Sequence, residues 1–186
     1  MFASTNPHKA REIGQMLGPL GIEVQSLEGL APDFPEPVED ADTFEGNARI
    51  KAVAYARALG LPCLADDSGL EVDALGGRPG VHSARYAGVG NTREERDHAN
   101  NAKLIAELEA RGQVDRAARF VCALCLADAE GAVLFEARGT FPGRIANQAR
   151  GENGFGYDPH LFLPDVGKSS AELSPDEKNA RSHRGA

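Results

Sequence analysis

At 186 residues the chain fits one domain or two closely packed lobes, and its 41% apolar and 26% charged residues are ordinary globular values. A chain of this size buries roughly 70% of its unfolded surface, so it needs neither disulfides nor a metal to fold. The net charge of −8 argues against a nucleic-acid polymer as the main partner but not against a single nucleotide, because a local Lys and Arg cluster or a bound divalent cation inverts the local field.

No secretory signal pattern is present. The longest unbroken apolar run, residues 120–127, is far short of the ~20 residues that a membrane helix needs. The cysteines are Cys63, Cys122 and Cys125, an odd set that points to reduced thiols and a cytoplasmic setting. Cys122 and Cys125 have zinc or redox spacing, but they sit in an apolar run without a second pair and read as core thiols of a strand.

In chain order, Ser4-Thr5-Asn6-Pro7-His8-Lys9 comes first. Thr5 or Asn6 caps a helix whose first residue is Pro7, and Ile13, Met16, Leu17 and Leu20 give it an apolar face. Polar groups and Lys9 then gather at a helix N-terminus, where free N–H groups and the dipole favour an anion; an ordinary capped surface helix has the same signature. Ile22 and Val24 suggest a short strand, and residues 30–37 form a proline-rich loop. Asp42 and Glu45 have capping-box spacing for a helix running to about Leu59. On it Asn47 and Lys51 share a face, a second place where an amide and a cation can meet phosphate oxygens.

Residues 61–65 read as a strand that delivers Asp66-Asp67-Ser68-Gly69 to its end. Side chains on a strand alternate, so if the strand continues through both acids only one of them faces a given site. An ordinary turn is built from the same residue types. Residues 74–86 read as a loop carrying Arg78 and Arg85. Thr92 and Glu95 form a capping box for a polar helix closed by Gly112. Residues 120–127 are apolar throughout, as in a central strand. A turn at 128–131 leads to a hairpin partner at 133–137, and 140–145 offers a further strand.

Gly151-Glu152-Asn153-Gly154-Phe155-Gly156-Tyr157-Asp158-Pro159 is a loop before a strand at 160–163. Its aromatic rings are poor core material on a flexible loop and good platforms for a nucleobase. Ser174-Pro175-Asp176-Glu177 starts a last helix, placing Lys178, Arg181, His183 and Arg184 on the following turns. There is no internal repeat, P-loop or nucleophile elbow.

Together these residues resemble the inosine triphosphate pyrophosphatase family, which removes dITP, ITP and XTP from nucleotide pools. The resemblance spans nearly the whole chain. It rests on seven ordered motifs: Ala3-Ser4-Thr5-Asn6-Pro7-His8-Lys9, Thr43-Phe44-Glu45-Gly46-Asn47-Ala48 with Lys51, Ala65-Asp66-Asp67-Ser68-Gly69-Leu70, Leu75-Gly76-Gly77-Arg78-Pro79-Gly80, Gly154-Phe155-Gly156-Tyr157-Asp158-Pro159, Ala171-Glu172-Leu173 and Ser182-His183-Arg184-Gly185. It implies an α/β fold, a long twisted mixed sheet in two lobes with flanking helices and a central substrate cleft. It also implies a Mg²⁺-dependent homodimer acting on a purine nucleoside triphosphate.

Carried over by motif, Ser4, Thr5, Asn6, Pro7, His8, Lys9, Asn47 and Lys51 would hold the triphosphate. Asp67 would bind the metal and act as base, with Glu39 as second acidic ligand (or its neighbour Asp40) and Ser68 touching substrate. Phe155, Gly156, Tyr157, Asp158, Lys178, His183 and Arg184 would surround the nucleoside. Relative to the family pattern the first strand is short and a helix after His-Arg-Gly is missing, so dimer contacts are expected to differ. Three alternatives remain open at this level: a Maf-type pyrophosphatase acting on pyrimidine nucleotides, a non-catalytic nucleotide sensor, and zinc or redox chemistry at Cys122 and Cys125.

Overall fold

The structure is a computed structural model that describes residues 1–4, 6–27 and 35–183, apart from the side chain of His8. Thr5, His8 beyond its backbone, Arg184 and most of the proline-rich loop therefore lie outside the described residues. Four α-helices are described: α1 (Pro7–Leu17), α2 (Phe44–Leu59), α3 (Arg93–Ala110) and α4 (Pro175–Asn179). Five strands, β1 (Cys63–Val72), β2 (Ala117–Ala127), β3 (Val133–Ile145), β4 (Leu161–Leu163) and β5 (Lys168–Ser169), form one sheet in the order β1-β2-β3-β4-β5. β4 runs antiparallel to both its neighbours, with Arg144 opposite Phe162 on one side and Phe162 opposite Ser169 on the other. Phe2, outside the five strands, adds isolated parallel bridges to Leu64 of β1 and to Ser26.

The chain divides into two compact units. The first takes Met1–Asp67 and Cys122–Gly139; among the described residues the second takes Ser68–Val121 and 140–183. Each of the three long strands begins in one unit and ends in the other. In the first unit α2 buries Ala48, Ala52 and Ala56, four residues apart on one stripe. Small side chains there let neighbouring backbone come close. In the second unit the core is made of large side chains, among them Leu104 and Leu108 of α3, Leu161 and Leu163 of β4, Phe141 and Tyr157.

Several elements differ from the sequence expectation. β1 does not stop at the acids but continues through Asp66, Asp67, Ser68 and Gly69 to Val72. Both acids are buried and have cationic partners, so the chain does not have to turn out to water there. Gly69 serves close approach rather than a turn: a Cβ on it would run into Ser83 Oγ and lie 2.8 Å from the Gly80 carbonyl oxygen. The cap of α2 is Thr43, whose Oγ1 accepts from Gly46 N at 3.1 Å; Glu45 is instead paired with Arg138 on β3. No strand forms at 22–24; pairing waits until the Ser26 bridge. The two strands expected over 133–145 are one continuous strand. The 74–86 loop is wound into two 3-10 turns, Asp73–Leu75 and Gly80–Arg85. Helix α4 ends at Asn179, so only Lys178 of its expected basic set lies within it. The capping box at Thr92 and Glu95 forms as read, with both reciprocal bonds present.

Candidate active site

In the first unit the functional side chains gather on the Asp66-Asp67 segment of β1. Strand alternation sends the two carboxylates to different partners. Asp66 pairs with Lys9 at 3.0 Å, and Cys122 Sγ lies 3.9 Å from its Oδ2. Asp67 accepts from Lys51 Nζ at 3.2 Å through one oxygen and from Asn47 Nδ2 at 3.2 Å through the other. Lys9 reaches Asp66 from the first turn of α1. Asn6 occupies the cap position of that helix, since its carbonyl accepts the Ala10 N–H at 3.1 Å, and Pro7 is the first helical residue. Ser4 Oγ accepts from Asn6 N at 3.2 Å. Ser4, Asn6, Lys9, Asn47, Lys51 and Asp67 thus belong to one unit.

Lys51 also donates to Glu39 Oε2 at 3.1 Å. Burial works against its charge, but Asp67, Asp66 and Glu39 outweigh that, and its pKa is raised. Burial pushes the Asp67 carboxyl up, and Lys51, Lys9 and the Asn47 amide offset this only in part. Asn47 does more than share a face with Lys51: its Oδ1 accepts from Ala41 N at 3.0 Å, so one amide ties the segment beside Glu39 to the Asp67 carboxylate. Asp40 is exposed, whereas Glu39 is turned onto Lys51.

These residues fit a divalent cation. Glu39 and Asp67 converge on one cation position, the Lys51 ammonium. Among the described residues no group of three or more His, Cys, Asp or Glu could hold a metal by itself. Two hard carboxylates without a full protein cage are how Mg²⁺ is held, with waters and substrate phosphates supplying the other ligands. Charge points the same way. Glu39, Asp66 and Asp67 against Lys9 and Lys51 leave this group one negative charge in excess, which repels a polyphosphate until a cation is added.

The second unit carries the aromatic loop. Asp158 is buried and fully engaged: one oxygen accepts from Phe155 N and from Lys178 Nζ, both at 2.8 Å, and the other from Ser170 Oγ at 2.7 Å. The Phe155 ring is half-buried, with the Lys178 ammonium 5.3 Å and the Arg93 guanidinium 4.5 Å from its centroid. His183 is buried and stacks on Phe120 with ring centroids 5.3 Å apart. Phe155, Gly156, Asp158, Lys178 and His183 are therefore members of the second unit, as is Ser68, half-buried on β1. Tyr157 corrects the expectation of two loose rings on a flexible loop. It is a core residue whose hydroxyl donates to the Ser83 carbonyl at 2.9 Å, and burial raises its pKa.

Sequence reasoning missed Asp66 as the partner of Lys9, Ser170 as a support of Asp158, and three residues of α3, namely Arg93, Asp97 and Asn101. The last three carried a signal: polar residues at four-residue spacing on one helix face. Cys63, Cys122 and Cys125 are buried, unbridged thiols.

The family model of the Ham1 family matches residues 1–186. The chain is 52% identical to a dITP/XTP pyrophosphatase of Exiguobacterium over 185 residues, covering 100% of this chain and 90% of that protein. It is 49% identical to a dITP/XTP pyrophosphatase of Geobacillus kaustophilus, covering 99% and 87%. Among solved structures, a HAM1 protein from Coxiella burnetii superposes with a TM-score of 0.87 at 42% identity, covering 99% of this chain and 91% of that one. The Staphylococcus aureus Ham1 protein gives 0.83 at 40%, covering 98% and 90%. With the family model matching from the first residue to the last, the chain belongs to the Ham1 family.

Proposed function

We propose that this chain is a nucleoside triphosphate pyrophosphatase that hydrolyses dITP, ITP and XTP to the monophosphate and pyrophosphate, and so clears non-standard purines from the nucleotide pool. The observation that carries the proposal is the buried Asp67 carboxylate held by Lys51 and Asn47, in a chain that matches dITP/XTP pyrophosphatases over its full length. Lys9 and Lys51, with Ser4, Thr5, Asn6, Pro7 and His8, take the triphosphate. Glu39 and Asp67 would hold Mg²⁺, which would supply charge neutralisation and lower the pKa of water. Asp67 accepts the proton of the attacking water, and Lys9 and Lys51 stabilise the departing pyrophosphate.

On the nucleoside side, Phe155 offers a ring face, and Lys178, His183 and Arg184 offer donors to a 6-keto oxygen. Hypoxanthine and xanthine carry that oxygen where adenine carries an amine, so adenine leaves a donor without an acceptor. The family resemblance extends the proposal to a homodimer working in the cytoplasm. No helix among the described residues is long and apolar enough to cross a membrane.

The test is pyrophosphate release with Mg²⁺ across ITP, dITP, XTP, ATP, GTP and dTTP at equal concentration. Turnover confined to the first three is expected. Turnover on dTTP instead would favour a pyrimidine enzyme, and binding of ITP without turnover would favour a sensor.

A further inference from the structure

Arg93, Asp97 and Asn101 recur every four residues along α3 and share one face of it. All three meet the turn that carries Phe155. Asp97 Oδ2 accepts from the Gly156 N–H at 3.0 Å, and Asn101 Nδ2 donates to the Gly156 carbonyl at 2.9 Å. Both backbone groups of one residue are thus tied to one helix. That residue has a φ of 62°, and its neighbour Gly154 a φ of 77°, so the turn has glycine freedom on either side of Phe155. The Arg93 guanidinium lies 4.5 Å from the Phe155 ring centroid, and its Nε is 3.8 Å from Asp97.

We propose that Asp97 and Asn101 are positioning residues for the nucleobase: by clamping the Gly156 peptide they fix where the Phe155 ring stands. The inference rests on the assignment of Phe155 to the base. The Phe155 N–H is also held by Asp158, but a turn released at Gly156 gives the ring more freedom that the ligand must remove, and that cost falls on binding rather than on chemistry. Asp97 acts as an acceptor, a role an asparagine oxygen also fills. Asn101 acts as a donor, and a carboxylate in its place would set oxygen against the Gly156 carbonyl oxygen.

The experiment is steady-state hydrolysis of ITP and ATP with Mg²⁺ by the full chain and by Asp97→Ala, Asp97→Asn, Asn101→Ala, Asn101→Asp and Phe155→Ala, with a thermal melt of each. Asp97→Ala, Asn101→Ala and Asn101→Asp are expected to raise KM for ITP about tenfold with kcat within about twofold, as for loss of a uniform binding contribution. Asp97→Asn is expected to stay within about threefold of the parent KM, which separates the acceptor from the Arg93 ion pair and keeps the test open if Asp97→Ala folds poorly. Phe155→Ala added to Asp97→Ala should raise KM little further, because the two act through one contact. A raised KM in Phe155→Ala with parental KM in Asp97→Ala and Asn101→Ala would overturn the positioning role. So would an equal fall of kcat and melting temperature in Asp97→Ala and Asp97→Asn, the pattern of a purely structural residue. A parental KM in Phe155→Ala would instead overturn the base assignment on which the inference stands.

Discussion

The two units both bury ion pairs but differ in what else they bury. The first buries several small side chains, Ala48, Ala52, Ala65 and Ala123 among them, and also full charges, Lys51, Asp66 and Asp67. The second packs large apolar side chains and also buries one ion pair's charges, Asp158 with Lys178, but several of its other buried polar groups are neutral and make hydrogen bonds that fix a shape: Asn100 and Tyr157 to the Ser83 carbonyl, and Ser170 to Asp158. Small residues make room for ammonium and carboxylate groups at hydrogen-bond distance, and low polarity around them strengthens every interaction with a further charge. A shaped hydrogen-bond network does the different task of holding a loop. The first arrangement suits phosphate and metal chemistry, and the second suits the recognition of a neutral ring.

This contrast can be broken by substitution. The largest effect is expected for Lys51→Met. It leaves Glu39 and Asp67 facing each other without the cation they share, a change that costs about 3–5 kcal/mol for a buried ion pair. Urea unfolding checks it, and a loss below about 1 kcal/mol would mean water already reaches the cluster. Asp67→Asn keeps the shape and removes the proposed base. Turnover of ITP should fall at least ~100-fold with a much smaller change in unfolding midpoint. Near-normal turnover would remove Asp67 from the mechanism.

In the second unit, Leu161→Ala should cost about 2–5 kcal/mol by opening a cavity, yet leave kcat close to the parent below the melting temperature. A matching loss of kcat would erase the distinction between the units. Ala52→Leu sharpens it from the other side. Overfilling the α2 stripe should cost about 1–3 kcal/mol, less than a cavity in the large-residue core. Its effect on turnover reports how closely α2 geometry is tied to Lys51.

The smallest effect concerns pH. Hydrogen bonds from Asn91 N and Thr92 N hold the Glu95 carboxyl below its ordinary value. A carboxyl depressed in the folded state contributes stability above its unfolded pKa, near 4.3 in reference peptides, and loses it as pH falls through the folded value. Glu95→Gln should therefore melt slightly lower than the parent at pH 7 and show a slightly flatter loss between pH 5 and pH 3. An unchanged slope would show that the capping carboxylate contributes nothing to acid sensitivity.

Much was legible in the sequence where a local rule decides the outcome. The Thr92 and Glu95 box, Pro7 at the head of α1, the burial of residues 120–127 and the spacing of Asn47 and Lys51 all follow from neighbours within a turn or a strand. β2 lies between β1 and β3, as a run apolar on both faces requires. The alternation of Asp66 and Asp67 is also a local rule: once the strand continues through both acids, the two take different partners, although which partners was not readable.

What only the tertiary structure decided concerns groups far apart in the chain. Asp-Asp-Ser-Gly has the composition of a turn, yet β1 runs through it because Lys9 and Lys51 supply the charges that make burial tolerable. Tyr157 sits in a glycine-rich loop, yet it is core because the Ser83 carbonyl, 74 residues away in sequence, accepts its hydroxyl. Asp42 has capping spacing, but Thr43 takes the cap, while Glu45 pairs with Arg138, 93 residues further along the chain. Local propensity sets where a helix or strand is possible. Long-range charge and hydrogen-bond partners set which possibility has the lower free energy, and those partners exist only once the chain has folded.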